Sequence, residues 1–256
     1  MKNKENKDYK KRFMNGFKIL QESKSPYEVW SDLMTVFSIE IANTSIRPLK
    51  DIEPFKKTWE EREKEYIRVM KKYSEKQRKR IIPQMFLLLV LELEKNPDQD
   101  LLGYIYMELE ISNKNTGQFF TPYSVCKMMA DVTIEKKILS KQIKENGYIT
   151  LNDCAIGGGA TLISAVNKCK DLFNRLNYQN HIMIIGQDID ITCVRMAYIQ
   201  LSLLGIAGYI KHANAITNPV SSFMNENSVF WVTPITFTEN WQYRIFFNGG
   251  YEKFFK

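Results

Sequence analysis

The sequence predicts an α/β fold, a doubly wound parallel sheet preceded by an all-helical domain. Three observations point there. Beyond Gly117, short apolar runs alternate with helical patterns. The first of these runs ends in Gly157-Gly158-Gly159, and the second ends in Gly186-Gln187-Asp188. Before Gly117 the apolar spacing is helical throughout. The expected division is a helical domain over residues 1–112 and a cofactor-type domain over residues 113–256.

Residues 1–12 are rich in charge and read as frayed chain. Ser25-Pro26-Tyr27-Glu28 then carries a capping Ser, a Pro in the first turn and a Glu three residues on. Val29, Leu33, Val36 and Phe37 continue it at helical spacing. A second helix is expected from Pro54 to Lys72, with Phe55, Trp59, Tyr66 and Met70 inward. A third follows Pro83 and stops before Asn96-Pro97, and a fourth covers Leu101 to Glu110. Lys71, Lys72, Lys76, Arg78, Lys79 and Arg80 cluster between two helices. They read as a solvated helix end, with phosphate contact as the alternative.

The second part is expected to open with a helix from Pro122 to Ile138, turning Val125, Met128, Met129 and Val132 inward. Tyr148–Leu151 reads as a strand, Thr161 to Leu176 as a helix, and His181–Gly186 as a buried strand. Ile191 to Leu204 is a further helix and Tyr209–His212 a third strand. Ser228–Val232 and Tyr243–Phe247 are candidate fourth and fifth strands.

Composition bounds the function. Hydrophobic residues make up 44% and charged residues 25%, an ordinary globular balance. The apolar run Met85–Leu91 is too short to cross a bilayer, and the polar start does not resemble a secretory signal. A cytoplasmic location is expected. Cys126, Cys154, Cys169 and Cys193 are scattered and read as small buried hydrophobes, while His181 and His212 lie far apart. A zinc site or a disulfide framework is not expected. The net charge of +7 is spread over both parts, so it permits nucleic-acid binding without arguing for it.

Ligands of a doubly wound sheet sit beyond the carboxyl ends of its strands. Glycines at 157–159 let a ligand approach backbone amides at a helix start. A carboxylate at Asp188 can accept from both hydroxyls of a ribose, and the amide of Asn214 can pair with an adenine edge. Neither the dinucleotide glycine spacing nor a P-loop is present.

Two motifs add a resemblance. Gly117-Gln118-Phe119-Phe120-Thr121-Pro122 resembles the Gly-Gln-Phe-Tyr-Thr-Pro segment of adenine-N6 DNA methyltransferases of the type I modification-subunit kind. Asp153-Cys154-Ala155-Ile156-Gly157-Gly158-Gly159 is similar to their Asp-Pro-Ala-Cys-Gly-Ser-Gly, and Gly186-Gln187-Asp188 to their Gly-Gln-Glu. The outline looks most like short phage or mobile-element members. The resemblance implies a Rossmann-like sheet that binds S-adenosylmethionine. Gln118, Phe119, Phe120, Thr121 and Pro122 would hold its methionine end. Asp153, Ala155, Gly157, Gly158 and Gly159 would line the amino-acid moiety. Asp188, followed by Ile189, would hold the ribose, and Asn214 would face the adenine. DNA is the implied partner, together with a specificity or restriction subunit.

The family also needs Asp/Asn-Pro-Pro-Tyr/Phe to hold the exocyclic amine and stack on a flipped base. That motif is not found. Asn218-Pro219, Trp231-Val232-Thr233-Pro234 and Asn240-Trp241 are its partial stand-ins. Three readings follow: a DNA adenine methyltransferase with a divergent base site, a cofactor-binding homologue that regulates without methylating, and a methyltransferase acting on RNA, protein or a small molecule. The catalytic residues stay unassigned.

Overall fold

The computed structural model describes residues 8–22, 24–111, 120–173, 177–220 and 230–247. Its helical part begins earlier than expected. Helix α1 (Tyr9–Leu20) is capped by Asp8, whose carboxylate accepts from the Lys11 amide. Phe13, Phe17 and Leu20 share its buried face, and that spacing overrides the charge of the surrounding residues. Helix α2 (Pro26–Ile46) starts as predicted, with Ser25 Oγ accepting from Glu28 N at 3.1 Å. It is buried nearly all round, at Val29, Trp30, Leu33, Met34, Val36, Phe37 and Ile39. It is therefore the central helix, with α3 (Phe55–Met70) packed against it.

A π-helical turn (Gln77–Ile81) leads into α4 (Ile82–Lys95), and α5 (Leu101–Glu108) follows. The basic cluster lies at the end of α3 and on the π turn. Two of its members are already engaged. Lys72 reaches Asp32 at 2.8 Å and Lys79 reaches Glu75 at 2.6 Å. Among the described residues no helix is long and apolar enough to cross a membrane.

The helix expected over Pro122–Ile138 is two helices, α6 (Tyr123–Thr133) and α7 (Lys136–Asn146). Ile134 and Glu135 between them are extended, at the end of the β-branched run Val132-Thr133-Ile134. The inward face of α6 also differs from expectation. Cys126 and Ala130 are buried, whereas Val125, Met128, Met129 and Val132 are exposed, Val132 at 78%. Helix α6 packs on α8, and among the described residues no strand lies beyond the sheet edge to cover its other side.

Among the described residues four strands form one sheet in the order β1-β2-β3-β4. Strands β1 (Ile149–Asp153), β2 (Ile182–Asp188) and β3 (Ala207–His212) are parallel, and β4 (Phe230–Val232) joins β3 antiparallel. Between them run α8 (Ala160–Leu172), a single turn α9 (Tyr178–His181) and α10 (Ile191–Leu203). Strand β2 is buried over its whole length, as a parallel strand covered on both faces must be.

The expected fifth strand, Tyr243–Phe247, lies instead in helix α11 (Glu239–Phe247). Trp241 and Ile245, four residues apart, share one helical face and pack with Tyr148, Met183, Ala207 and Tyr209. One sheet face thus carries α11. The other merges with the helical part in a single apolar cluster running from Phe13 through Trp30 to Met196 and Ile210. Polar bonds cross the same seam. Trp30 Nε1 donates to Met196 Sδ at 3.4 Å, and buried Arg195 donates to Thr35 Oγ1 and to the Glu65 carboxylate.

Candidate functional site

The register places Asp153 opposite Gly186 and Asp188 opposite His212, so the three parallel strands end side by side. Backbone bonds lace the tips. Ile156 N donates to Gln187 O at 2.9 Å, and Ala213 N donates to Asp188 O at 3.0 Å. Asp188 ties the turns together. Its Oδ2 accepts from Gly157 N and its Oδ1 from Asp190 N, both at 2.9 Å. Asp190 in turn caps α10 through Thr192 N.

The glycine turn follows from backbone demands. Gly157 and Gly159 have φ of +53° and +96°, a region that side chains disfavour. A Cβ at Gly159 would also press on the Ala197 backbone at 3.4 Å. Gly159 therefore serves the close packing of α8 on α10. At Gly157 a Cβ would meet the Phe120 ring at 3.4 Å, which shows that the Phe120-Thr121 segment lies over this turn.

Phe120, Thr121, Ala155, Gly157, Gly158 and Asp188 line one open cleft of about 220 Å³, with Cys126 and Thr161 at its side. Asp153 lies next to it, lining a hollow of about 330 Å³ beside Thr161. Its carboxylate accepts from Ala155 N at 3.0 Å and from the Thr161 hydroxyl. Pro122 lines a third hollow. Ile189 stands exposed beyond β2, and Asn214 sits past the tip of β3. Asn214 Oδ1 accepts from Ile216 N and Thr217 N, which leaves its NH₂ as the group to offer a ligand. Gln118 and Phe119 lie outside the described residues. Cys154 is exposed at the turn after β1, not buried as expected, because the chain leaves the sheet there.

Two buried residues, not singled out in the sequence, hold this site from behind. Gln200 Nε2 donates to Gly158 O at 2.7 Å and to Asp100 Oδ1 at 2.8 Å, while its Oε1 accepts from Leu102 N. The network links α10, α5 and the glycine turn. Its one visible signal is a lone amide in the apolar stretch Ala197-Tyr198-Ile199-Gln200-Leu201. Nearby, Asp98 accepts from Tyr123 OH and Lys127 Nζ, each at 2.7 Å. Burial alone would raise the Asp98 carboxyl, but these two donors outweigh it and hold it below the usual carboxylate range.

None of the partial base-holding motifs is among the residues that line the cleft. Thr233 pairs with Gly208, at the amino end of β3, so Trp231–Pro234 lies toward the opposite end of the sheet from the glycine turn. Trp231 is buried against Tyr198, with ring centroids 5.2 Å apart. Asn240 lies in the first turn of α11 and accepts from Arg244 Nε, and Trp241 is core. Asn218-Pro219 is the instructive case. Asn218 Oδ1 and Pro219 O converge on one amine, but it belongs to buried Lys211, whose Nζ donates to them at 2.8 and 3.0 Å. His212, next to Lys211 at the end of β3, is exposed and bonds Ile189 O.

A family model described as N-6 DNA Methylase matches residues 98–253. The chain belongs to the N-6 DNA methylase family. The matched stretch contains the glycine turn, Asp188, Asn214 and the network around Gln200. A crystal structure of the type I restriction-modification system methyltransferase subunit from Streptococcus thermophilus is similar over 82% of this chain, with a TM-score of 0.46 and 13% identity. The chain covers 59% of that structure's length. A search of curated proteins found no match.

Proposed function

We propose that this N-6 DNA methylase binds S-adenosylmethionine across the tips of β1, β2 and β3 and methylates adenine N6 in DNA. The observation that carries this is the Asp188–Gly157 bond, which joins two strand tips across a cleft walled by Phe120 and Thr121. The residues fit the cofactor chemically. Each Asp188 oxygen takes one backbone N–H, so each keeps lone-pair capacity for a ribose hydroxyl. The bare glycine backbone admits the sulfonium chain, Asp153 faces its amino group, and the Asn214 NH₂ meets a ring nitrogen of the adenine. Phe120, Thr121 and Pro122 close over the methionine end. When bound, the cofactor supplies an electrophilic methyl group. The residues of this chain orient it, shield it from water and present it to the acceptor nitrogen, whose proton leaves to solvent.

In this reading residues 113–256 serve the cofactor and residues 1–112 serve the DNA. A specificity or restriction subunit is the expected protein partner, and the cytoplasm is the expected compartment. A second reading, cofactor binding without methyl transfer, is favoured by the Lys211 ammonium filling the Asn218-Pro219 acceptor pair.

Radiolabelled S-adenosylmethionine offered with DNA, RNA and protein separates the readings. Label recovered as N6-methyladenine from DNA establishes the first. Cofactor binding with no label in any substrate establishes the second. Label in RNA or protein alone overturns both.

A further inference from the structure

A second concavity borders the cofactor cleft and shares Phe120 and Thr121 with it. It encloses about 350 Å³ between α5 and the start of α6, lined by Asp100, Gly103, Tyr104, Met107, Phe120 and Tyr123. Pockets of this size hold small planar ligands, with aromatic walls and few polar groups to orient them. The one carboxylate in this wall belongs to Asp100, which is 7% exposed. Its Oδ1 caps α5 through Gly103 N at 2.9 Å and accepts from Gln200 Nε2 at 2.8 Å. Among the described residues its Oδ2 accepts no hydrogen bond, and Asp100 lines the hollow, so this oxygen has capacity to accept one from a ligand. Any Cβ at position 103 would collide with that Oδ2, so the glycine keeps the oxygen open toward the hollow. Asp100 also stands behind the glycine turn: a Cβ at Gly158 would lie 3.6 Å from Oδ1. Tyr104 is half exposed at the rim, with Lys10 Nζ 4.6 Å from its ring centroid.

We propose that this hollow receives the acceptor base, an aminopurine, stacked among Tyr104, Phe120 and Tyr123, with Asp100 Oδ2 accepting from its exocyclic amine. This rests on the cofactor reading of the adjacent cleft. It assigns to α5 the task that the family gives to its Asp/Asn-Pro-Pro-aromatic motif. Aromatic faces bind a base of any kind, whereas the carboxylate selects one that carries an N–H. Burial raises the Asp100 carboxyl, opposed by its bonds to Gln200 and Gly103.

The test uses full-length protein with isotope-labelled methionine methyls, saturated with S-adenosylhomocysteine so that the cofactor cleft is blocked. Added adenosine is expected to shift the Met107 signal and leave exposed Met128 unmoved. N6,N6-dimethyladenosine, which lacks the amine hydrogens, is expected to bind about tenfold more weakly or worse. Met107→Trp fills the hollow from an exposed position, and Asp100→Ser keeps a helix cap but cannot reach. Met107→Trp removes the reporter methyl, so its adenosine affinity is read by calorimetry on the S-adenosylhomocysteine complex and should be lost while S-adenosylhomocysteine binds as before. Asp100→Ser, kept saturated with S-adenosylhomocysteine, should lose the Met107 shift. No Met107 shift in wild type, equal affinity for the two nucleosides, or undiminished adenosine affinity of Met107→Trp by calorimetry overturns the proposal. S-adenosylhomocysteine binding is read first, by calorimetry. Its absence sinks the cofactor reading itself, and the base site with it.

Discussion

Asp188→Ala is expected to weaken S-adenosylhomocysteine binding by about 2–3 kcal/mol, roughly 30- to 150-fold. The notable point is how many groups depend on one carboxylate. Its oxygens hold Gly157 N and Asp190 N and are the proposed acceptors for the ribose. Alanine removes the ligand contacts and also unties the tip of β2 from the glycine turn. Asp188→Asn separates these effects. It keeps one oxygen acceptor but sets an NH₂ against a backbone N–H, so it should lose affinity nearly as severely. Calorimetry on both variants, with circular dichroism confirming the fold, checks this. An Asp188→Ala protein that binds the ligand like wild type contradicts the assignment.

Trp241→Ala is expected to cost about 3–5 kcal/mol of stability, the usual loss when a fully buried large aromatic is truncated. Trp241 is 0% exposed, packs edge-on against Tyr148 with centroids 5.6 Å apart, and donates from Nε1 to Gln179 O at 2.7 Å. The alanine variant leaves a cavity and an orphaned carbonyl together. For a chain of this length the melting temperature should fall by about 10 °C. Affinity for S-adenosylhomocysteine should hold at temperatures where the variant is folded, because α11 covers the sheet face away from Asp188. A small thermal shift with a large loss of ligand affinity would return Trp241 to the role of a base-pocket residue.

Much of the fold was legible because its signals were local. The strands from Ile149, Ile182 and Ala207 stand out as apolar runs with helices between them. The glycines and Asp188 mark their tips, and Ser25-Pro26 announces α2. The misses share a different cause. In α1, Phe13, Phe17 and Leu20 were hidden among lysines and arginines, whose long side chains leave a helical face intact. In α11 the aromatic run Tyr243–Phe247 favours strand locally, but Trp241 and Ile245 find a shared apolar partner across the sheet, and that contact decides. On α6 the periodicity showed that an apolar face exists, yet periodicity cannot say what lies against it.

The site divides the same way. That Gly157, Gly158 and Asp188 meet at the strand tips could be read because turn chemistry fixes their place, while Phe120, Thr121 and Ala155, which line the same cleft, came from the resemblance. Asp100 and Gln200 could not be read. They are 100 residues apart, and only the packing of α5 on α10 makes them partners. Asn218-Pro219 misleads in sequence for the converse reason. It offers the acceptor pair that a base amine needs, and the structure gives that pair to Lys211.

A crystal structure of the protein with S-adenosylhomocysteine tests the central claim most directly. The predicted result has both ribose hydroxyls within hydrogen-bond distance of the Asp188 carboxylate, the amino-acid end over Gly157-Gly158 and the base beside Asn214. Ligand found elsewhere, or a cleft between Phe120 and Asp188 that stays empty at saturating ligand, contradicts it.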